Sequence, residues 1–231
     1  MLIQTEIKQP QISLYTWEEY EQICEKVGEG SPFEYVEGEI YWRYTQELLP
    51  IDLVDFILSP AYSWEKFLQL IESYNLMKSS KEHQIIATNL NMQIAKQLDE
   101  EKFDYVAETN NLAIPNKTNS RIADGILTTK EKIFNEKNQL TNPIALIEIW
   151  SPSTEKIDKT DKLEEYRSID SLQEYIMFSQ DEAKAEQYIK KTKEKWENNL
   201  IEGLDKTVEM PSVNVKLPIK KIYEGVGLKK K

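Results

Sequence analysis

Two acids sit where their neighbours argue against acids. Glu148 interrupts the apolar run "PIALIEIW" (Pro143–Trp150), and Asp124 interrupts "RIADGILTT" (Arg121–Thr129). Side chains alternate along a strand, so Leu146, Glu148 and Trp150 share one face and Ala145, Ile147 and Ile149 the other. A strand apolar on both faces is covered on both. An ionised carboxylate there is costly unless a countercharge sits beside it, so a metal ion, a lysine or an arginine is expected next to Glu148. Aspartate is depleted in strands, which makes Asp124 the same kind of anomaly. Two such acids on adjacent strands form an oxygen-rich site that suits a hard divalent cation, Mg²⁺ or Mn²⁺. Such a cation can activate water and stabilise charge developing on a phosphate. A plainer alternative stays open, with both acids at strand ends, solvated or paired with Arg121 and Lys162.

The helix expected after Glu148 carries Lys159, Lys162 and Tyr166 near one stripe, at i, i+3 and i+7. Packed over the strand, it would aim the Lys162 ammonium at the two acids. The plainer reading pairs Lys162 with Asp158 at i, i+4 on the surface. Tyr166 and Tyr175 read as core or rim aromatics, and Cys24 shows no base partner that would make it a nucleophile. His83 is the one histidine, so a histidine-rich zinc site is ruled out. The lysines at 190, 191, 193, 195, 220, 221 and 229–231 read as a solvated turn and tail rather than as phosphate contacts.

Elements that position these groups follow from capping and periodicity. Thr16 and Glu19 form a capping box that opens a helix to about Lys26, ended by Gly28 and Gly30. "FEYVEGEIYW" alternates around Glu37-Gly38 as a hairpin. From Thr45 to Asn75 the chain makes an excursion with a helix capped by Ser63. Ser79 and Glu82 predict a capping box for a second helix, with Ile86, Leu90 and Ile94 on one face. The strands "FDYVAE", "RIADGILTT" and "PIALIEIW" follow, then a helix over about 154–168 and the strand "EYIMFS". A strand pair with a lysine-rich turn, a short strand and a helical turn close the chain. One α+β domain over residues 1–231, with a helical insertion at about 45–75, is the simplest organisation.

Composition narrows the function classes. Forty acidic against 29 basic residues give a net charge of -11 over 231 residues, which argues against nonspecific coating of DNA but permits a small basic cleft. Seven glycines leave no glycine-rich phosphate loop. A single cysteine fits a reducing cytoplasm. The start "MLIQTEIKQPQ" lacks the features of a signal peptide, and no run approaches about 18 apolar residues. A cytoplasmic protein without a membrane span is expected.

The pieces "FEYVEGEIY", "KEHQIIATNL", "RIADGILTT", "PIALIEIWSPSTEKIDKTDKLEEYRSIDSLQEYIMF" and "KIYEGV" occur here in order over roughly residues 33–44 and 79–226. They resemble the Uma2 family of restriction-endonuclease-like proteins, within the PD-(D/E)XK nuclease superfamily. The resemblance implies a restriction-endonuclease-like core, a mixed β-sheet flanked by helices. It implies a metal site of Asp124 and Glu148, with DNA as substrate and, as in related nucleases that pair subunits, a homodimer. The family's lysine falls on Lys162. Glu34 matches a recurrent acid before the core, as a further ligand or water-holding group, and His83 matches a recurrent histidine. Two departures stand out. Ala123 replaces the proline before the first acid, and Trp150 stands where the superfamily's triplet has its lysine. Lys162 is then a displaced substitute. A nuclease fold without catalysis, used for binding or as a scaffold, is the rival expectation, and hydrolysis of a small phosphorylated molecule is a third.

Overall fold

Thr16 opens the first helix as its spacing requires. Its hydroxyl accepts from the Glu19 N–H at 3.2 Å, and Glu19 accepts from the Thr16 N–H at 2.8 Å, so two donors at the helix start are satisfied reciprocally. The computed structural model describes residues 14–28, 30–74, 76, 79–107 and 111–228. The starting segment "MLIQTEIKQPQ", Asn75, Glu108 and the lysines at 229–231 lie outside the described residues.

Helix α1 (Trp17–Val27) leads into the hairpin β1 (Phe33–Val36) and β2 (Glu39–Trp42). The hairpin turns at Glu37 (φ 52°) and Gly38 (φ 92°), the positive-φ pair of a tight hairpin turn. Next come β3 (Glu47–Leu48), α2 (Ile51–Leu58) and α3 (Trp64–Ser73). Ser63 caps α3 as expected. Helix α2 was not anticipated, and it buries Leu53, Val54 and Ile57 against Ile23, Phe33, Ile40 and Trp42. The 45–75 excursion therefore completes a core with α1 and the hairpin.

Helix α4 (Lys81–Ala95) buries Ile86, Leu90 and Ile94. Its cap is Ser80, which accepts from the His83 N–H at 3.0 Å. The expected Ser79–Glu82 box is shifted by one residue, which makes His83 the third helical position. The chain continues through β4 (Phe103–Ala107), β5 (Leu112–Ala113), β6 (Ser120–Arg121), β7 (Gly125–Thr129) and β8 (Pro143–Trp150). After α5 (Glu155–Lys159) and α6 (Asp161–Arg167) come β9 (Glu174–Ser179), β10 (Lys184–Lys190), β11 (Trp196–Glu202), β12 (Thr207–Met210), β13 (Val215–Pro218) and α7 (Ile219–Ile222).

The central sheet has six strands in the order β11-β10-β9-β8-β7-β4. Strands β8 and β9 run parallel, joined by the α5–α6 crossover, and the other neighbours are antiparallel. Ala145, Ile147 and Ile149 pack with α4, β12, β13 and α7. Leu146 and Trp150 pack with Leu163, Tyr166 and Tyr175 on the opposite face. The sheet is thus mixed, covered on both faces and flanked by helices, an α+β architecture with β8 at its centre. Burial of each such aliphatic or aromatic side chain contributes about 1.5–3 kcal/mol.

A second sheet, β3-β2-β1-β6-β5, carries the hairpin. "RIADGILTT" is not one strand. Arg121 pairs with Leu112 in this second sheet, whereas Gly125 pairs with Ile147 in the first. Asp124 lies in the link between them. Its carboxylate accepts the Ile149 N–H at 2.7 Å, a donor that a continued ladder would give to backbone. The side chain replaces the ladder at the point where the chain changes sheets.

Candidate active site

Asp124 and Glu148 open into one cleft of about 560 Å³, also lined by Arg43, His83, Asp158, Lys162 and the hydroxyls of Ser80, Ser151 and Thr154. One register step beyond the Gly125–Ile147 pair brings Asp124 opposite Glu148. The two acids come from neighbouring chain segments and face the same space, from positions 7% and 4% exposed.

Lys162 reaches Glu148 but does not bridge the two acids. Its ammonium lies 3.1 Å from Glu148 Oε1, 3.3 Å from Asp158 Oδ1 and 3.5 Å from Glu34 Oε1. The expected pair with Asp158 exists, but it is buried rather than on the surface. A break at Thr160 (φ -120°, ψ -83°) splits the expected single helix and separates Lys159 from Lys162. Lys159 turns instead to Glu155 and Glu186 and lies over the Trp150 ring. Tyr166, one turn after Lys162, donates its hydroxyl to Glu148 Oε1 at 2.9 Å. Among the described residues, the hydrogen bonds to Glu148 from Lys162 and Tyr166 both use Oε1, so Oε2 could take another ligand.

Three carboxylates share this one lysine. Burial pushes the Lys162 pKa down, but Glu148, Glu34 and Asp158 outweigh it and keep the ammonium charged. That upward pull is largest when Glu148 is ionised, whereas burial drives Glu148 toward its neutral form. Burial raises Glu148 to about 8, Lys162 opposes this, and Asp124, Asp158 and Glu34 add to it. The net direction for Glu148 is upward, because one ammonium cannot balance three anions. Glu34 has a second cation in Arg121, and among the described residues Lys162 is the cation paired with Glu148. Asp124 behaves oppositely. Burial pushes it up, yet His83, Arg43 and the Ile149 N–H hold it below the usual carboxylate range.

Glu34 is fully buried behind Lys162 and does not line the cleft. It accepts from Arg121 at 3.0 Å, Gln46 at 3.1 Å and the Ile122 N–H at 3.1 Å. Burial raises its pKa, but Lys162, Arg121 and the two hydrogen bonds bring it below the usual value. Arg121 also bonds Glu165 at 2.7 Å, so it joins Glu34 to α6 rather than pairing with Asp124. His83 Nε2 lies 3.2 Å from Asp124 Oδ2. Tyr175 is a core aromatic whose hydroxyl donates to the Asp158 carbonyl at 3.1 Å. Of the lysines in the turn and tail, Lys191, Lys193 and Lys221 make surface pairs with Glu197, Asp170 and Glu224.

Sequence reasoning missed Arg43 as a site residue. Its Nη2 donates to Asp124 Oδ1 at 2.7 Å from the link after β2. A cation directly after the apolar-aromatic strand "EIYW" was the available signal. It also treated Asp158 and Tyr166 as bystanders, although both turn inward with Lys162: Asp158 Oδ1 lies 3.3 Å from its ammonium, and Tyr166 shares Glu148 with it.

Carboxylate oxygens are the donors that a hard divalent cation takes. Glu148 Oε2 and the Asp124 carboxylate could hold it, with water completing the shell as Mg²⁺ prefers. Among the described residues, no three histidine, cysteine, aspartate or glutamate side chains form a ready-made metal group. Also among the described residues, no helix is long and apolar enough to cross a membrane.

Comparison with known proteins matches residues 72–220 to the family model Uma2, described as "Putative restriction endonuclease". The matched segment contains His83, Asp124, Glu148, Asp158 and Lys162, whereas Glu34 and Arg43 precede it. An uncharacterized protein of Synechocystis sp., slr1290, is 24% identical over 154 residues, 67% of this chain and 80% of the relative. A second uncharacterized Synechocystis protein, sll1609, is 26% identical over 120 residues, 51% of this chain and 68% of the relative. The family match spans well over half of the chain, with Asp124 and Glu148 inside it, and on that ground the chain belongs to the Uma2 family of restriction-endonuclease-like proteins.

Proposed function

We propose that the chain is a metal-dependent endonuclease that hydrolyses DNA phosphodiester bonds, with Asp124 and Glu148 holding Mg²⁺ or Mn²⁺. The observation that carries this reading is the pair of buried carboxylates facing one cleft, with the Lys162 ammonium 3.1 Å from Glu148. Bound there, the cation supplies Lewis-acid polarisation of a phosphoryl oxygen and neutralises its developing charge.

The chain's own groups have separable roles. Lys162 orients the attacking water or stabilises the pentacovalent phosphate, in place of the lysine that Trp150 displaces. Glu34 and Asp158 hold the ammonium charged and fixed, so Glu34 is a positioning residue and not a ligand. The Tyr166 hydroxyl fixes the Glu148 rotamer. His83 and the Ile149 N–H orient Asp124.

Nicking of supercoiled plasmid with Mg²⁺ or Mn²⁺ tests this reading, with Glu148→Gln as control. Metal-dependent nicking lost in the variant supports it, and nicking retained in the variant sinks the mechanism. A second reading, a nuclease fold used for binding or as a scaffold, is favoured by both Asp124 oxygens being engaged by Arg43, His83 and backbone. Inactivity with every divalent metal and nucleic acid supports that reading.

A further inference from the structure

Arg43 is in an unusual position for a charged side chain. It follows directly on β2 of the second sheet, yet its side chain, 5% exposed, crosses to Asp124 at the entrance to β7 and lines the cleft. Its backbone is tied down on both sides. The Arg43 N–H donates to the Pro32 carbonyl at 3.0 Å. Its carbonyl accepts from Gln46 Nε2 at 2.9 Å, and the same amide donates to Glu34. The guanidinium also lies 5.0 Å from the centre of the Tyr44 ring. The support beneath the side chain is fixed, and Arg43 is among the residues that line the cleft a substrate would enter.

Arginine cannot shed its proton in a protein, so Asp124 has a permanent cationic partner on Oδ1. A divalent cation held by Asp124 would stand against that guanidinium and repel it. The guanidinium fork matches a phosphate as well as it matches a carboxylate. An incoming phosphodiester offers it a replacement anion inside the same cleft.

We infer that Arg43 is a substrate-phosphate ligand that rests on Asp124 until a divalent cation displaces it. The inference rests on the metal-site reading above and deepens it. In the metal-free protein Arg43 supplies the countercharge that keeps Asp124 buried. With the cation bound, Asp124 passes from arginine to metal, and Arg43 passes from carboxylate to phosphate. Metal and substrate binding are therefore coupled through one side chain.

A single substitution separates this role from a structural one, because its two effects have opposite signs. Arg43→Gln removes an internal competitor, so Mn²⁺ binding measured by calorimetry without DNA tightens by about tenfold, the size of one charge-assisted hydrogen bond. The same variant loses a phosphate contact. Its affinity for a fluorescent duplex oligonucleotide in Mn²⁺, read by anisotropy with a gel to confirm that the duplex is intact, weakens by about tenfold. Arg43→Lys keeps the charge without the fork and shows the same signs at smaller size. It also serves if the glutamine variant folds poorly. Weakening of both affinities, or no change in either, while the unsubstituted protein binds Mn²⁺ and Asp124→Asn does not, overturns this inference alone. Absence of Mn²⁺ binding in the unsubstituted protein overturns the metal site and this inference together.

Discussion

Glu148→Gln should stabilise the metal-free protein at neutral pH. The buried Glu148 carboxyl is raised from the ordinary value of 4.5 to about 8. Between those values the folded state binds a proton that the unfolded state has released, so stability falls as pH rises. Each pH unit in that window is about 1.4 kcal/mol. The penalty is therefore about 3 kcal/mol at pH 7 and approaches about 5 kcal/mol above pH 8. Glutamine keeps the oxygen that accepts from Lys162 and Tyr166 and has no proton to lose. Urea denaturation in chelator should show the two proteins nearly equal at pH 4.5, with the variant ahead by about 3 kcal/mol at pH 7. Saturation with Mn²⁺ at about 100 times its dissociation constant should return about 2.7 kcal/mol to the parent and little to the variant. A variant less stable than the parent by the same amount at pH 5 and pH 8 would refute the reasoning. Glu148 would then be ionised and balanced by Lys162, with no proton to exchange for a metal.

Other perturbations test the surrounding frame. Lys162→Met leaves Glu34 and Asp158 short of a cation and should cost about 3 kcal/mol at pH 7.5. The loss should shrink toward pH 5 as the acids take up protons, and urea midpoints at both pH values would check this. An equal loss at both would contradict it. Gly125→Ala would place a methyl group 2.7 Å from the Tyr105 hydroxyl and 3.3 Å from Ile147 Cβ. The tyrosine is held by its 2.6 Å bond to Asn91, so a cost of about 1–3 kcal/mol is expected. Displacement of the adjacent Asp124 should weaken Mn²⁺ binding in a calorimetric titration.

Periodicity and capping exposed much of the frame, because α4 and β8 bury continuous apolar faces. The alternation in "PIALIEIW" separated the two cores on either side of the sheet. The break in "RIADGILTT" was not legible, because Ile122 and Ala123 are as apolar as strand residues, and the chain leaves the sheet through a side-chain bond from Asp124. The Thr160 kink was harder to place: Glu, Lys and Leu favour helix on both sides of it, and the weak formers Asp158, Thr160 and Asp161 were read as part of one continuous helix. Helix α2 has no side-chain cap and follows Pro50, so it lacked the signal that marked α1 and α3. At the site, the stripe of Lys162 and Tyr166 put an ammonium near Glu148 on the condition that the helix packs over β8, and Lys162 does reach Glu148 there. The Arg43–Asp124 contact joins residues 81 apart in sequence, so the cation after "EIYW" could mark Arg43 as unusual but could not name its partner. The open alternative that paired Arg121 with the site acids could not be settled locally either, because its partners Glu34 and Glu165 come from distant segments.

Crystals of the protein grown with Mn²⁺ give the most direct test, through an anomalous difference map. A single strong peak within coordination distance of both the Asp124 and Glu148 carboxylates, with the Arg43 guanidinium withdrawn from Asp124, is the expected result. A map without a peak at these two acids, under conditions that saturate Mn²⁺ binding in solution, would contradict the shared metal site.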